Sequence, residues 1–141
     1  MADLSHLLDV RVYYEDTDHG GVVYHANYLK FMERGRTEAL RALGFAQSDL
    51  AEKEDVLFAL SRSDLRYLRP AKFDDALVVQ TDLVSAKGAR MVFKQQVLRD
   101  GECLVEADIH IACMNKAGRA KRIPSNILNC LEQGKHISEL S

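Results

Sequence analysis

Apolar residues in this chain follow two rhythms, and the switches between them mark its elements. Leu8 to Tyr14 alternates weakly, as a half-buried strand does. From Asn27 to Leu43 the apolar positions are Tyr28, Phe31, Met32, Ala39, Leu40 and Leu43, with Lys30, Glu33, Arg34, Arg36, Glu38 and Arg41 between them. That spacing predicts an amphipathic helix of about 25 Å, stopped by Gly44. A shorter helix is expected over Gln47–Glu54, and four strands after it.

The first of these strands is Val56–Arg69, which ends at Pro70. Ala76–Ala86 follows, with Leu77, Val79, Thr81 and Leu83 on one face. Arg90–Arg99 comes next across the turn AKGA. Leu104–Met114 comes last across RDGE, where Asp-Gly suits positive φ. In that last strand Val105, Ala107, Ile109, Ile111 and Cys113 alternate with Glu106, Asp108 and His110, so one face is buried. Pro124 opens a final short helix over PSNILNCLEQG. The pattern describes an α+β layout: an antiparallel sheet of five to six strands curled round one long central helix. No repeat, low-complexity tract or linker divides the sequence, so residues 1–141 are expected to form a single domain.

Charge and cysteine content narrow the function. A formal net charge of −2 gives no global attraction to nucleic acid or anionic membrane. The three cysteines, Cys103, Cys113 and Cys130, lack metal or redox spacing and sit among apolar neighbours, as small core residues do. The opening MADLSHLLDV does not read as a signal peptide, and no run is long enough for a membrane helix. A cytoplasmic location is the expectation.

One stretch departs from simple patterning. VYYEDTDHGGVVYHANYLKF breaks from strand into acids, a histidine and two glycines, then turns helical at once. Glu15 and His19 read as solvated loop residues, and Asp16 as a residue that bonds the loop backbone or the helix end. By itself Asp18 reads as a turn-forming Asx residue, Tyr14 as a packed strand-end aromatic, and Asn27 as either helix N-cap or ligand contact. DTDHG superficially matches an aspartate-nucleophile phosphatase motif, but that chemistry follows a buried parallel strand, and these strands alternate. Asp16, Asp18, His19 and His25 form no standard metal spacing, so no metal is expected. There is no G-x-S-x-G for a serine hydrolase.

YYEDTDHGGVVYHANYLKFMERGRTEAL, continued through LRYLRPAKFDDALVVQT, resembles the hot-dog-fold acyl-CoA thioesterases of the 4-hydroxybenzoyl-CoA thioesterase family. Within them it is most similar to the YbgC branch, associated with the Tol-Pal system. The resemblance implies an acyl-CoA substrate, or an acyl-carrier protein, and no cofactor. It makes Asp18 the catalytic carboxylate, as general base or nucleophile, and the His25 backbone N–H an oxyanion donor. Tyr14 and the His25 side chain are implied as supports, although the His25 ring also suits a structural hydrogen bond.

The resemblance also sets Gly21, Val22 and Tyr24 against substrate, with Gly20 and Gly21 letting the backbone approach the thioester. Lys87 and Arg90, at the AKGAR turn, are its first candidates for the coenzyme A phosphates. Arg62, Arg66, Arg69, Lys72, Arg119, Lys121 and Arg122 are further basic candidates. It implies a homodimer or homotetramer, with sheets joined edge to edge and sites at the subunit boundary. The alternatives are an acyl-thioester hydratase or dehydratase using a His and acid pair, and a binding module for acyl-CoA or acyl-carrier protein without turnover.

Overall fold

Strand Ser5–Arg11 (β1) is followed by helix Asn27–Ala42 (α1), helix Gln47–Glu54 (α2), and strands Leu57–Tyr67 (β2), Ala76–Lys87 (β3), Arg90–Arg99 (β4) and Glu102–Met114 (β5). These come from a computed structural model, which describes residues 5–131. The strands form one antiparallel sheet in the order β1-β3-β4-β5-β2, so β1 and β2 are its edges. Residues 125–131 are helical, as Pro124 predicts; the rest of that expected helix lies outside the described residues.

The inward faces of the strands are those the alternation marks. Leu77, Val79, Thr81 and Leu83 of β3, Met91, Phe93, Gln95 and Val97 of β4, and Val105 to Cys113 at every second position of β5 are all buried. Register shifts at Leu60/Arg62, Leu83/Ser85 and Val97/Leu98 curl the sheet. Into that curl α1 lays Tyr28, Phe31, Met32, Gly35, Ala39 and Leu40. Gly35 sets the closeness of the fit. A Cβ there would stand 2.8 Å from Thr81 Oγ1 and 2.9 Å from Val79 Cγ1.

The first strand ends earlier than the sequence suggests. Beyond Arg11 the Asp16 carboxylate captures the Tyr13 N–H at 2.8 Å, and Thr17 Oγ1 donates to the Tyr14 carbonyl. Tyr14–Asp16 therefore winds into a short 3-10 turn rather than continuing β1. Among the described residues no helix is long and apolar enough to cross a membrane.

Candidate active site

The loop from Tyr13 to Ala26 is tied together by one buried acid. Asp16 is 6% exposed; its Oδ2 accepts from the Tyr13 N–H and its Oδ1 from Asn27 Nδ2 at 2.6 Å. The Asp16 carbonyl takes the Tyr24 N–H at 2.9 Å. A single residue thus locks the end of the 3-10 turn to the start of α1. Asn27 is neither the cap nor an exposed ligand contact. Ala26 is the N-cap and makes no side-chain bond, while the buried Asn27 amide serves Asp16.

Asp18 stands at the exposed tip of this loop. Its Oδ1 accepts from the Gly20 N–H at 2.9 Å, its N–H donates to the Val22 carbonyl, and its carbonyl accepts from Gly21. The Asx turn read from the sequence is therefore present, and it fixes the carboxyl rotamer while engaging only one oxygen. Gly20 leaves room for this, since a Cβ there would lie 3.3 Å from Asp18 Oδ1. Gly21, at φ +78°, occupies the left-handed region that favours glycine.

Past the glycines the chain is pinned at Val23, whose N–H bonds the Ala71 carbonyl, and then enters α1. The Asn27, Tyr28 and Leu29 N–H groups reach back to the Tyr24, His25 and Ala26 carbonyls. Among the described residues no carbonyl or side chain accepts from the His25 or Ala26 N–H. These two free donors at a helix start create positive potential beside the Asp18 loop. The His25 ring packs on Tyr67 at 4.6 Å, and the Tyr67 hydroxyl donates to the His25 carbonyl at 3.3 Å. Val22, His25, Tyr28, Tyr67, Arg69 and Pro70 line a cavity of about 180 Å³. Burial holds the Tyr28 hydroxyl above the ordinary phenol range, and that hydroxyl accepts the Ala71 N–H. Asp75 accepts from the Lys72 N–H and pairs with Arg99 at the end of β4, both at 2.8 Å, and Arg99 Nη1 also donates to the Pro70 carbonyl at 3.4 Å.

The residues singled out in the sequence do not all converge. Asp18, Gly21, Val22 and His25 lie together at the start of α1. Tyr24 is 60% exposed beside them. Tyr14 is not a packed strand residue: it is 75% exposed and stacks flat on Phe73 at 3.8 Å. Lys87 and Arg90 pair with each other at the far tip of the β3–β4 hairpin. Eleven residues of β3 separate them from its Asp18 end, roughly 36 Å at strand rise. Within one chain they cannot serve the same ligand end as Asp18. Of the basic candidates named from the sequence, Arg69 and Lys72 lie beside this loop, Lys72 bridging Val22. Arg66 is paired with Glu106, and Lys121 with the carbonyls of Glu54 and Asp55.

Tyr67 and Phe73 were not picked out from sequence, because their partners lie 42 and 59 residues away. Among the described residues no group of three or more His, Cys, Asp or Glu side chains is placed to hold a metal ion. Burial pushes the Cys103 and Cys113 thiols above their ordinary range, which suits packing rather than nucleophilic use.

A curled antiparallel sheet around one helix, with an acid-bearing glycine loop at that helix's start, is the hot-dog architecture. The family model of the thioesterase-like superfamily matches residues 12–131. The acyl-CoA thioesterase YbgC of Haemophilus influenzae is 45% identical over 82% of this chain and 85% of that protein. The acyl-CoA thioester hydrolase YbgC of Escherichia coli is 42% identical over 84% and 90%. Among solved structures, a protein from Bartonella henselae described as a probable thioesterase superposes with TM-score 0.82 at 41% identity, covering 85% of this chain and 99% of that one. The chain therefore belongs to the thioesterase-like superfamily, on its YbgC-like branch.

Proposed function

We propose that this protein hydrolyses acyl-CoA thioesters, with Asp18 as the reacting carboxylate and the His25 N–H as oxyanion donor. Thioester hydrolysis follows from membership of the family and from acyl-CoA activity in the names of relatives more than 40% identical over most of both chains. The residue roles rest on one observation: a carboxylate held by its own turn, on a loop bonded through Asp16 to a helix start with two free N–H donors.

In this scheme the thioester carbonyl oxygen rests on those donors. Asp18 either takes a proton from water as it adds to the carbonyl carbon, or attacks that carbon itself. In both routes the C–S bond breaks and coenzyme A leaves as a thiol after gaining a proton. In the first, water supplies the second oxygen of the acid directly; in the second, water then opens the acyl–Asp18 anhydride to release the acid and restore the carboxylate. The His25 ring, positioned by Tyr67, borders the cavity where the thioester would lie.

Exposure of Asp18 in a single chain fits a site completed by a second subunit. Edge strand β2 has one unpaired side, and Leu60, Tyr67 and Leu68 are exposed on or just after it. A homodimer joined there, or a homotetramer built from such dimers, would cover Asp18. It would also allow the Lys87–Arg90 hairpin of the neighbouring subunit to approach the coenzyme A end. Action in the cytoplasm, on acyl-CoA or acyl-carrier protein and in connection with the Tol-Pal system, belongs to the same reading.

The test is thiol release from acyl-CoAs of graded length by wild type and Asp18→Asn, which keeps shape and removes the charge. A loss of at least about 100-fold is expected, the lower end of general-base contributions. Near-normal turnover by the variant would refute the assignment. Single turnover in isotopically labelled water identifies direct attack when unlabelled acid forms, since water opening the anhydride at the Asp18 carbonyl leaves an enzyme oxygen in the acid.

A further inference from the structure

A larger cavity of about 320 Å³ runs along α1 from Leu29 to Leu40, between that helix and the sheet. Its apolar wall is Leu29, Leu40, Phe58, Met91, Phe93 and Ile111. Lys30, Glu33 and Arg36 enter it as well, so its charged groups sum to one positive charge. His25, Leu29, Arg36 and Leu40 follow one another along one face of the helix, at helical spacings of four, seven and four. The candidate oxyanion donor therefore stands at one end of the same face that lines this cavity.

Arg36 is the anomaly in this wall. It is half-buried, and burial pulls its guanidinium below the ordinary arginine range, with Glu33 opposing. Long cationic side chains usually carry their charge out to water. Here Nη1 instead donates to Gln95 Oε1 at 2.9 Å. Gln95 is itself fully buried, with Nε2 committed to the Met32 carbonyl at 2.9 Å and to Thr81 Oγ1 at 2.8 Å. Those bonds fix the amide so that its oxygen faces Arg36. Among the described residues Nε and Nη2 have no acceptor and no carboxylate lies within ion-pair distance of the group, while both atoms keep some access to solvent. Glu33 offsets this charge only at a distance, and two guanidinium nitrogens lack a protein acceptor, so an anionic group in the cavity would complete the oriented cation.

We infer that this cavity holds the acyl chain and that Arg36, positioned by Gln95, binds a carboxylate at the chain's far end. The inference rests on the thioesterase reading of the Asp18 loop. A carboxylate can take two parallel N–H bonds from one guanidinium, which gives both charge balance and a fixed length. Helical side chains lean toward the helix start, so Arg36 reaches back toward His25 across roughly 16 Å of helix. The preferred substrates are then acyl-CoAs with a terminal carboxyl group, of one favoured length.

The experiment compares kcat/KM by thiol release on matched pairs: adipoyl- with hexanoyl-CoA, suberoyl- with octanoyl-CoA, dodecanedioyl- with dodecanoyl-CoA. Wild type should favour the carboxyl-ended member at one length. Arg36→Met should lower that ratio roughly ten- to hundredfold, the span of a hydrogen bond to a charged group. Arg36→Lys should restore part of it, since lysine keeps the charge without the fork. An arginine that merely supports the fold, or that pairs with a carboxylate of a second subunit, would lower both members equally; an unchanged ratio overturns the inference. Melting temperature with free suberate or dodecanedioate gives a readout independent of turnover. A rise in wild type that is lost in Arg36→Met supports the site, even if no thioester is cleaved and the hydrolase reading falls. No rise, together with no ratio change, removes the site and leaves the Asp18 chemistry untouched.

Discussion

Asn27 Nδ2 donates to Asp16 Oδ1 at 2.6 Å, joining the first residue of α1 to the acid two positions before Asp18. The bond is buried, and Asp16 spends its other oxygen on the Tyr13 N–H. Removing the amide leaves a buried carboxylate short of a donor. Asn27→Ala should therefore cost on the order of 2 kcal/mol in unfolding free energy, the range for a hydrogen bond to a charged group. It should also lower turnover, because the loop that carries Asp18 loses its tie to the helix. Urea unfolding and thiol release measure the two effects; loss of stability without loss of rate would show that Asp18 is placed by its own turn alone.

Gly20 offers the complementary test, confined to the carboxylate. A methyl group there would stand 3.3 Å from Asp18 Oδ1, tighter than ordinary contact, and the position is exposed. Gly20→Ala should displace the Asp18 side chain and leave the core untouched. The expected outcome is a melting temperature close to wild type with kcat reduced about tenfold or more, since misplacing a catalytic group by a fraction of an ångström is expensive. Unchanged kcat would mean that the carboxyl position seen here is not the one that reacts.

These two cases show what could be read from the sequence and what could not. Turn signals on either side bound Arg90–Arg99 in the sequence, and the structure has the same bounds, as it does for the short helix expected over Gln47–Glu54. Local signals of that kind need no knowledge of distant partners. The Tyr14 turn went unread because a side chain, Asp16, outcompeted the strand for one backbone N–H. Tyr67 under His25 and Phe73 on Tyr14 are contacts between distant parts of the chain, which no local rhythm encodes. Gln95 and Thr81 did leave a trace: each is a polar residue on an otherwise apolar inward face. Such an interruption says that a buried polar partner exists, but only the fold reveals that it is Arg36. Lys87 and Arg90 were picked out for charge and resemblance, and sequence alone cannot place a hairpin tip at the far end of a strand from Asp18.

Gly35 tests the seat of α1 on the sheet. A Cβ there meets Thr81 Oγ1 at 2.8 Å, Val79 Cγ1 at 2.9 Å and Gln95 Nε2 at 3.2 Å. Helix propensity alone would favour alanine by up to about 1 kcal/mol. Overpacking should outweigh it, because none of the three atoms is the free end of a flexible chain. Gly35→Ala should destabilise by about 1–3 kcal/mol net of that gain. Denaturant unfolding decides: a more stable variant would mean that helix and sheet can part without penalty.

Asp75 links acid stability to the same site. Burial opposes its ionisation, but the Lys72 N–H and the Arg99 guanidinium, each 2.8 Å from Oδ2, outweigh that and hold its carboxyl below the usual carboxylate range. Arg99 stays protonated throughout, so the pH dependence comes from Asp75. A carboxyl with a lower pKa folded than unfolded stabilises the protein above its unfolded value, near 3.9, and loses that contribution as pH falls through the folded value. Asp75→Asn should therefore unfold at lower urea than wild type at neutral pH, with the gap closing once pH drops below about 4. Because Asp75 orients Arg99, whose Nη1 also holds the Pro70 carbonyl at the site cavity, the variant should also loosen that wall beside the His25 ring and raise KM at neutral pH. A gap that persists unchanged down to pH 3, measured by urea midpoints across the range, would assign the effect to lost shape rather than to the charge pair, and Arg99 would then have no electrostatic part in holding that wall.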